Sequence, residues 1–184
     1  MDPLLSCSQA AAHVAAGAII AYPTEAIYGL GCDPRNEAAL NKLITLKHRS
    51  QDKGLIVIAS QLSQLHGLVE PPHASVLRRV EPTWPGPVTW IMPATPACPA
   101  ALTGGRNTIA VRVSAHPVVR ELCDCANSAL VSTSANTSGQ VPLQTADAII
   151  AEFGTRIAGV VRGELGGLKN ATSIFDASTG VQLR

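Results

Sequence analysis

The amino-acid sequence predicts an α/β protein: a single domain over residues 1–184, with a twisted, mixed, open sheet flanked by helices. Three observations carry this reading. Apolar runs of strand length recur along the chain, as AIIAY, LIVIAS, VTWIM, TIAVRV and ALVSTSA. Segments with helical spacing and capping residues separate them, the alternation expected of an α/β layer structure. Hydrophobic residues make up 46% of the 184 and charged residues 15%, so the chain can bury a core throughout. No repeat, low-complexity tract or linker divides it.

The elements follow in order. Ser8 is placed to cap an Ala-rich helix that stops at Gly17. AIIAY then reads as a buried strand ending at Pro23, and YGLGCDP reads as a Gly-rich turn. Asn36 can cap a helix to about Lys47, with Leu40, Leu43 and Ile44 on one face. LIVIAS is a second buried strand. Two short helical stretches, 61–68 and 73–80, flank Pro71-Pro72. Residues 88–92 form a strand between proline stops, and 93–107 read as a loop. In TIAVRV strict alternation puts Ile109, Val111 and Val113 on one face and Thr108, Ala110 and Arg112 on the other. His116-Pro117 opens a helix, ALVSTSA is a strand running into a polar turn, and Thr145 caps a helix to Phe153. The tail SIFDASTGVQLR reads as strands with a turn near 178–180.

Composition limits the function classes. A net charge of +1 argues against nucleic-acid binding driven by overall charge. No apolar stretch approaches the length that spans a bilayer, and the N-terminus lacks the basic start of a signal peptide. The five cysteines have neither CxxC nor zinc spacing, and Cys123-x-Cys125 reads as helix core and surface. A reducing cytoplasm and no metal site are the expectations. There is no GxxxxGK[ST], the spacing in YGLGCD is wrong for a dinucleotide fingerprint, and no Ser-His-Asp order is defensible.

Three polar clusters lie at strand ends, where open α/β sheets form their ligand crevice. LKHRSQDKGL places Lys47, Arg49 and Lys53 within seven positions. The spacing leaves two readings: cations complementing a helix C-terminus, or a phosphate site. Arg112 beside Ala110 is either a clamp for carboxylate or phosphate or an arginine paired to an acid at a sheet edge. In VSTSANTSG, Ser132 and Ser134 share a side, and Asn136 belongs to a turn that either donates to a ligand or bonds its own backbone. Glu25, in PTEA, reads as a residue capping a turn, with a base as the other option.

Taken together, YPTEAIYGLGCDP, LKHRSQDKGLIV, WPGPVT, TIAVRVSAHP and STSANTSG resemble, in order, the signatures of the YrdC-like threonylcarbamoyl-AMP synthases, in their short single-domain form. The resemblance implies a YrdC-like fold with a large concave basic cavity. It implies an enzyme that makes threonylcarbamoyl-AMP and pyrophosphate from L-threonine, bicarbonate and ATP, with Mg²⁺. The product serves threonylcarbamoyladenosine modification at adenosine 37 of tRNA, through partner proteins. By the same resemblance Lys47, Arg49, Ser134 and Asn136 match the family's nucleotide tetrad, Lys53 and Thr108 match further ATP contacts, and Arg112, Ser132 and Thr172 match threonine contacts. No side chain is required as a covalent nucleophile. Two positions depart from the longer family form, Ala26 for Thr and Ile58 for His, both of which touch threonine there. Two rivals remain: a non-catalytic module binding double-stranded RNA or tRNA in the same cavity, and a domain acting on carbamoyl phosphate.

Overall fold

The computed structural model describes residues 3–184. The strands are β1 (Leu4–Leu5), β2 (Ile20–Pro23), β3 (Tyr28–Gly31), β4 (Ile56–Ala59), β5 (Val88–Pro93), β6 (Thr108–Val113), β7 (Leu130–Ser134), β8 (Val160–Val161) and β9 (Ser173–Asp176). The α-helices are α1 (Cys7–Ala15), α2 (Glu37–Leu46), α3 (Ala74–Val80), α4 (Ala100–Thr103), α5 (Pro117–Ala126) and α6 (Ala146–Phe153). One open sheet runs in the order β1-β8-β2-β3-β7-β4-β6-β5-β9. It is mixed: β4 pairs parallel to β6 and antiparallel to β7, and β5 pairs antiparallel to β6 and parallel to β9.

Period-two alternation assigns each strand's side chains to two faces. Val57, Val111 and Val131 join a large core that takes Leu40 and Leu43 from α2, Val80 from α3 and Ile149 and Phe153 from α6. On the opposite face Tyr22, Ile58 and Leu130 pack with Val14 of α1 and with Val119 and Leu122 of α5. That second layer covers only part of its face. Beyond it, Gly29, Ile56, Ala110, Arg112 and Ser132 line open cavities.

The structure departs from the sequence reading in four places. YGLGCDP is not a turn, because Tyr28–Gly31 forms β3, antiparallel to both β2 and β7. Glycine there serves close approach rather than chain reversal. A Cβ on Gly31 would lie 2.2 Å from the Val131 carbonyl oxygen, and one on Gly29 would lie 3.2 Å from Ser132 Oγ. The α1 cap is Ser6, not Ser8. Ser6 Oγ accepts from the Gln9 amide at 3.2 Å and the Ser6 amide donates to Gln9 Oε1 at 2.9 Å, a capping box. The loop 93–107 contains α4, and the two-residue strands β1 and β8 are too short to register as periodic runs. The cysteines behave as read: Cys123 is buried, Cys125 is exposed, and the five are free thiols.

Candidate functional site

Two adjoining cavities occupy the uncovered sheet face. The first, about 170 Å³, is lined by Thr24, Ala26, Arg112, Ser132, Ser134 and Thr172, among others. The second, about 210 Å³, is lined by Lys53, Arg106, Thr108 and Ala110, among others. Arg49, Ile56 and Arg184 line both, so they form the wall between them.

The site begins at the end of α2. Lys47 is the C-cap, and His48 follows in the left-handed conformation with φ 49°. The chain turns there, and Lys47 and Arg49 go to different places. Lys47 is 2% exposed. Its Nζ donates to the carbonyl of Ser134, to the carbonyl of Asn136 at 2.6 Å and to Asn136 Oδ1 at 3.2 Å. Ser134 Oγ also donates to Asn136 Oδ1, at 2.5 Å, and Asn136 Nδ2 donates to the Gln140 carbonyl at 2.6 Å. Lys47 thus stands behind the STSAN turn and holds it, while Arg49 reaches the cavities. The Arg49 guanidinium donates to the Gly54 carbonyl from Nη2 at 3.0 Å and from Nε at 3.3 Å. Asp52, in the same stretch, accepts from the Ser50 hydroxyl, which holds its carboxyl below the ordinary range.

Burial, and then the neighbouring Arg49 charge, push the Lys47 ammonium down to about 8. The folded value lies below the ordinary one of 10.5. The unfolded chain therefore holds more protons between these values, and this group adds stability as pH rises across that window. Lysine side-chain NMR of ¹³C-labelled protein is expected to find one ammonium titrating near 8, with its midpoint raised in Arg49→Gln. A full set of lysines titrating above 10 would contradict this lowering of the Lys47 ammonium.

Arg112 is 4% exposed and sits on β6 between β4 and β5, not at an edge. Its Nη2 lies 3.2 Å from Glu25 Oε2, and its Nη1 donates to Thr172 Oγ1 at 2.9 Å and to Thr89 Oγ1 at 3.4 Å. Glu25 is itself 7% exposed and accepts from Ser114 Oγ at 2.6 Å. Both sequence readings of Arg112 therefore meet: it is paired to an acid, and it lines the first cavity. Burial pulls its guanidinium below the ordinary value, and Glu25 opposes that shift. The next strap of chain packs on the same glutamate, the Gly166 amide donating to the Thr24 carbonyl at 3.0 Å and the Leu168 amide to the Glu25 carbonyl at 2.9 Å. His116, buried beside it, keeps Nε2 3.1 Å from the Glu164 carbonyl, and its burial pulls its pKa down.

Seven of the nine residues singled out from sequence line the two cavities. Arg112, Ser132, Ser134 and Thr172 line the first cavity, Lys53 and Thr108 the second, and Arg49 both. Lys47 and Asn136 build the turn behind them. Of the two departures from the longer family form, Ala26 lines the first cavity. Ile58 is fully buried in the core under α5, away from the cavity lining. Sequence reading missed Glu25 as the counter-ion of Arg112, and also Arg106 and Arg184. No local pattern marks these, because each acts across a long sequence separation. Among the described residues no group of three or more His, Cys, Asp or Glu side chains could hold a metal ion, and no helix is long and apolar enough to cross a membrane.

The family model for Sua5, YciO and YrdC, described as "Telomere recombination", matches residues 12–184. A protein of Halorhodospira halophila named threonylcarbamoyl-AMP synthase is 47% identical over 175 residues, covering 95% of this chain and 92% of the relative. One of the same name from Xylella fastidiosa is 44% identical over 186 residues and covers both chains fully. Among solved structures, P. abyssi Sua5 complexed with L-threonine superposes with a TM-score of 0.89 at 28% identity. The match covers 97% of this chain and 53% of that one, so the chain spans about half the length of Sua5. E. coli YciO superposes with a TM-score of 0.84 at 23% identity over 97% of this chain and 87% of its own, a likeness of fold.

Proposed function

The chain belongs to the Sua5/YciO/YrdC family, and from that premise we propose that it is a threonylcarbamoyl-AMP synthase, forming threonylcarbamoyl-AMP and pyrophosphate from L-threonine, bicarbonate and ATP. The observation that carries the proposal is the pair of adjoining cavities sharing Arg49. One is furnished for an amino acid, by Arg112, Ser132 and Thr172, and the other for phosphates, by Lys53 and Thr108. The full-length relatives named for the synthase activity support this over a non-catalytic RNA-binding module. In this reading the enzyme is cytoplasmic, and its product passes to tRNA-modification partner proteins.

The chemistry follows from the charges. The amine of threonine and bicarbonate condense to a carbamate with loss of water. A carbamate oxygen bonds to the α-phosphorus of ATP, the bond from that phosphorus to the bridging oxygen breaks, and the electron pair leaves with pyrophosphate. Negative charge concentrates on the leaving group, so fixed cations and donors do the work, without a covalent nucleophile. Arg49 and Lys53 hold the triphosphate beside the STSAN turn, where Ser134 lines the first cavity and Asn136 and Lys47 fix the turn from behind. Arg112 takes the threonine carboxylate, beside Thr172. Mg²⁺ fits as an ion carried by the triphosphate and water, since the cavities are lined by cations and hydroxyls rather than carboxylates.

Pyrophosphate release by the purified protein, with each substrate omitted in turn, tests the proposal. Release is expected only when threonine, bicarbonate and ATP are all present. Release indifferent to threonine overturns it, as does salt-sensitive tRNA binding with no turnover. Turnover with carbamoyl phosphate in place of threonine and bicarbonate moves the protein to the other rival reading.

A further inference from the structure

Resting on that reading, we propose that Arg106 is a further triphosphate-positioning residue, which holds the terminal phosphate of ATP and then the departing pyrophosphate. Arg106 is exposed and lies in the loop between α4 and β6, outside every cluster read from the sequence. Its place is fixed by an interlock of two loops. The Leu55 amide donates to the Leu102 carbonyl at 2.9 Å, and Arg106 Nη1 donates to the Asp52 carbonyl at 2.8 Å. A Cβ on Gly104 would lie 2.3 Å from the Asp52 carbonyl oxygen, and one on Gly54 would lie 2.7 Å from that of Leu102. Glycine at both crossings lets the loops touch. That contact brings Arg106 Nη2 within 3.2 Å of the Gly54 Cβ position, while Arg49 bonds the carbonyl of the same glycine.

Two guanidinium groups therefore flank Gly54, in a cavity whose lining also includes Lys53 and Arg184 and no Asp or Glu. The acid nearest in sequence, Asp52, is exposed, accepts from Ser50 and lies outside the cavity lining, yet near enough to feel the charges of Arg49, Lys53 and Arg106. One exposed carboxylate against these cations leaves an excess of positive charge, which favours an anion in the cavity. The direction of the triphosphate follows from the neighbouring cavity. Threonine held at Arg112 must present its carbamate to the α-phosphate, so the α-phosphate lies at the Arg49 wall. The β- and γ-phosphates then extend away from threonine, toward Lys53 and Arg106. A guanidinium there engages the terminal phosphate with a planar fork.

The test uses inorganic pyrophosphate as a probe, titrated calorimetrically into the wild-type protein, Arg106→Gln and Arg106→Lys, alongside steady-state kinetics. Arg106→Gln is expected to weaken pyrophosphate binding and raise the KM for ATP by about threefold to tenfold, the range for a charge-assisted contact at a partly solvated site. The KM for threonine and the melting temperature should stay unchanged, and Arg106→Lys should recover part of the loss. Wild-type pyrophosphate affinity in Arg106→Gln, or no binding by the wild-type protein, overturns the inference. So does an equal rise in both KM values, which would mark Arg106 as a scaffold between the loops. Pyrophosphate binding that depends on Arg106 in a protein without threonine-dependent turnover would sustain this site and refute the synthase reading; the converse result would refute only this site.

Discussion

Replacing Lys47 with methionine is expected to remove threonine-dependent pyrophosphate release and to lower stability in the same variant, whereas Arg49→Gln loses activity alone. The two cations are neighbours in sequence but serve different elements. Lys47 Nζ satisfies two backbone carbonyls and one side-chain oxygen in a buried turn. Methionine fills much of the volume but leaves those oxygens without a donor. Hydrogen bonds to a charged group, and buried acceptors left unpaired, together put the cost at roughly 2–4 kcal/mol. Ser134 and Asn136 then lose their fixed positions, and turnover is expected to fall by at least about 100-fold. Arg49 faces the cavities and, among the described residues, hydrogen-bonds only the Gly54 carbonyl, with the Asp52 charge nearby. Its loss should cost roughly tenfold to hundredfold in activity, with the melting temperature within about 2 °C. Thermal denaturation read beside turnover checks both. Lys47→Met with wild-type melting and activity would contradict the strut role. Parallel losses of stability in both variants would contradict the division of labour.

That division explains what the sequence could and could not disclose. Strand-length apolar runs mark β2, β4, β5, β6 and β7, because burial on a sheet leaves a local pattern. β3 was hidden because its glycines answer to Val131, Tyr22 and Ser132, which lie far along the chain. A lysine at a helix C-terminus reads as a surface charge on the helix dipole, and nothing local indicates that its ammonium enters a turn near residue 136. The alternation in TIAVRV put Arg112 on the cavity face but could not name its partner. Glu25 lies in a different loop, and only the fold brings the two together. The cavity-lining residues were legible where motif and periodicity coincided. The groups that hold those residues were not, since their partners are fixed by topology.

The pairing of Glu25 with Arg112 yields the other large effect. Glu25→Gln keeps the shape and the bond from Ser114 but removes the charge opposite a guanidinium that is 4% exposed. Removing one partner of a buried ion pair costs about 3–5 kcal/mol, because the remaining charge lies uncompensated away from water. A ligand can supply what the substitution removes. If the threonine carboxylate goes to Arg112, saturating threonine returns a negative charge to that guanidinium, and only the folded variant receives it. Threonine should therefore raise the melting temperature of Glu25→Gln by more than it raises that of the wild-type protein, where Glu25 already compensates the charge. Arg112→Met strands Glu25 instead, and threonine offers no cation to that site except its ammonium, which must lose its proton for carbamate formation. That variant should lose stability comparably and gain little from threonine. The contrast separates a binding role from a structural one, since a purely structural ion pair would leave both variants equally indifferent to threonine. Equal threonine-induced shifts in wild-type and Glu25→Gln proteins would place the threonine carboxylate elsewhere in the cavity and remove Arg112 from the proposed mechanism.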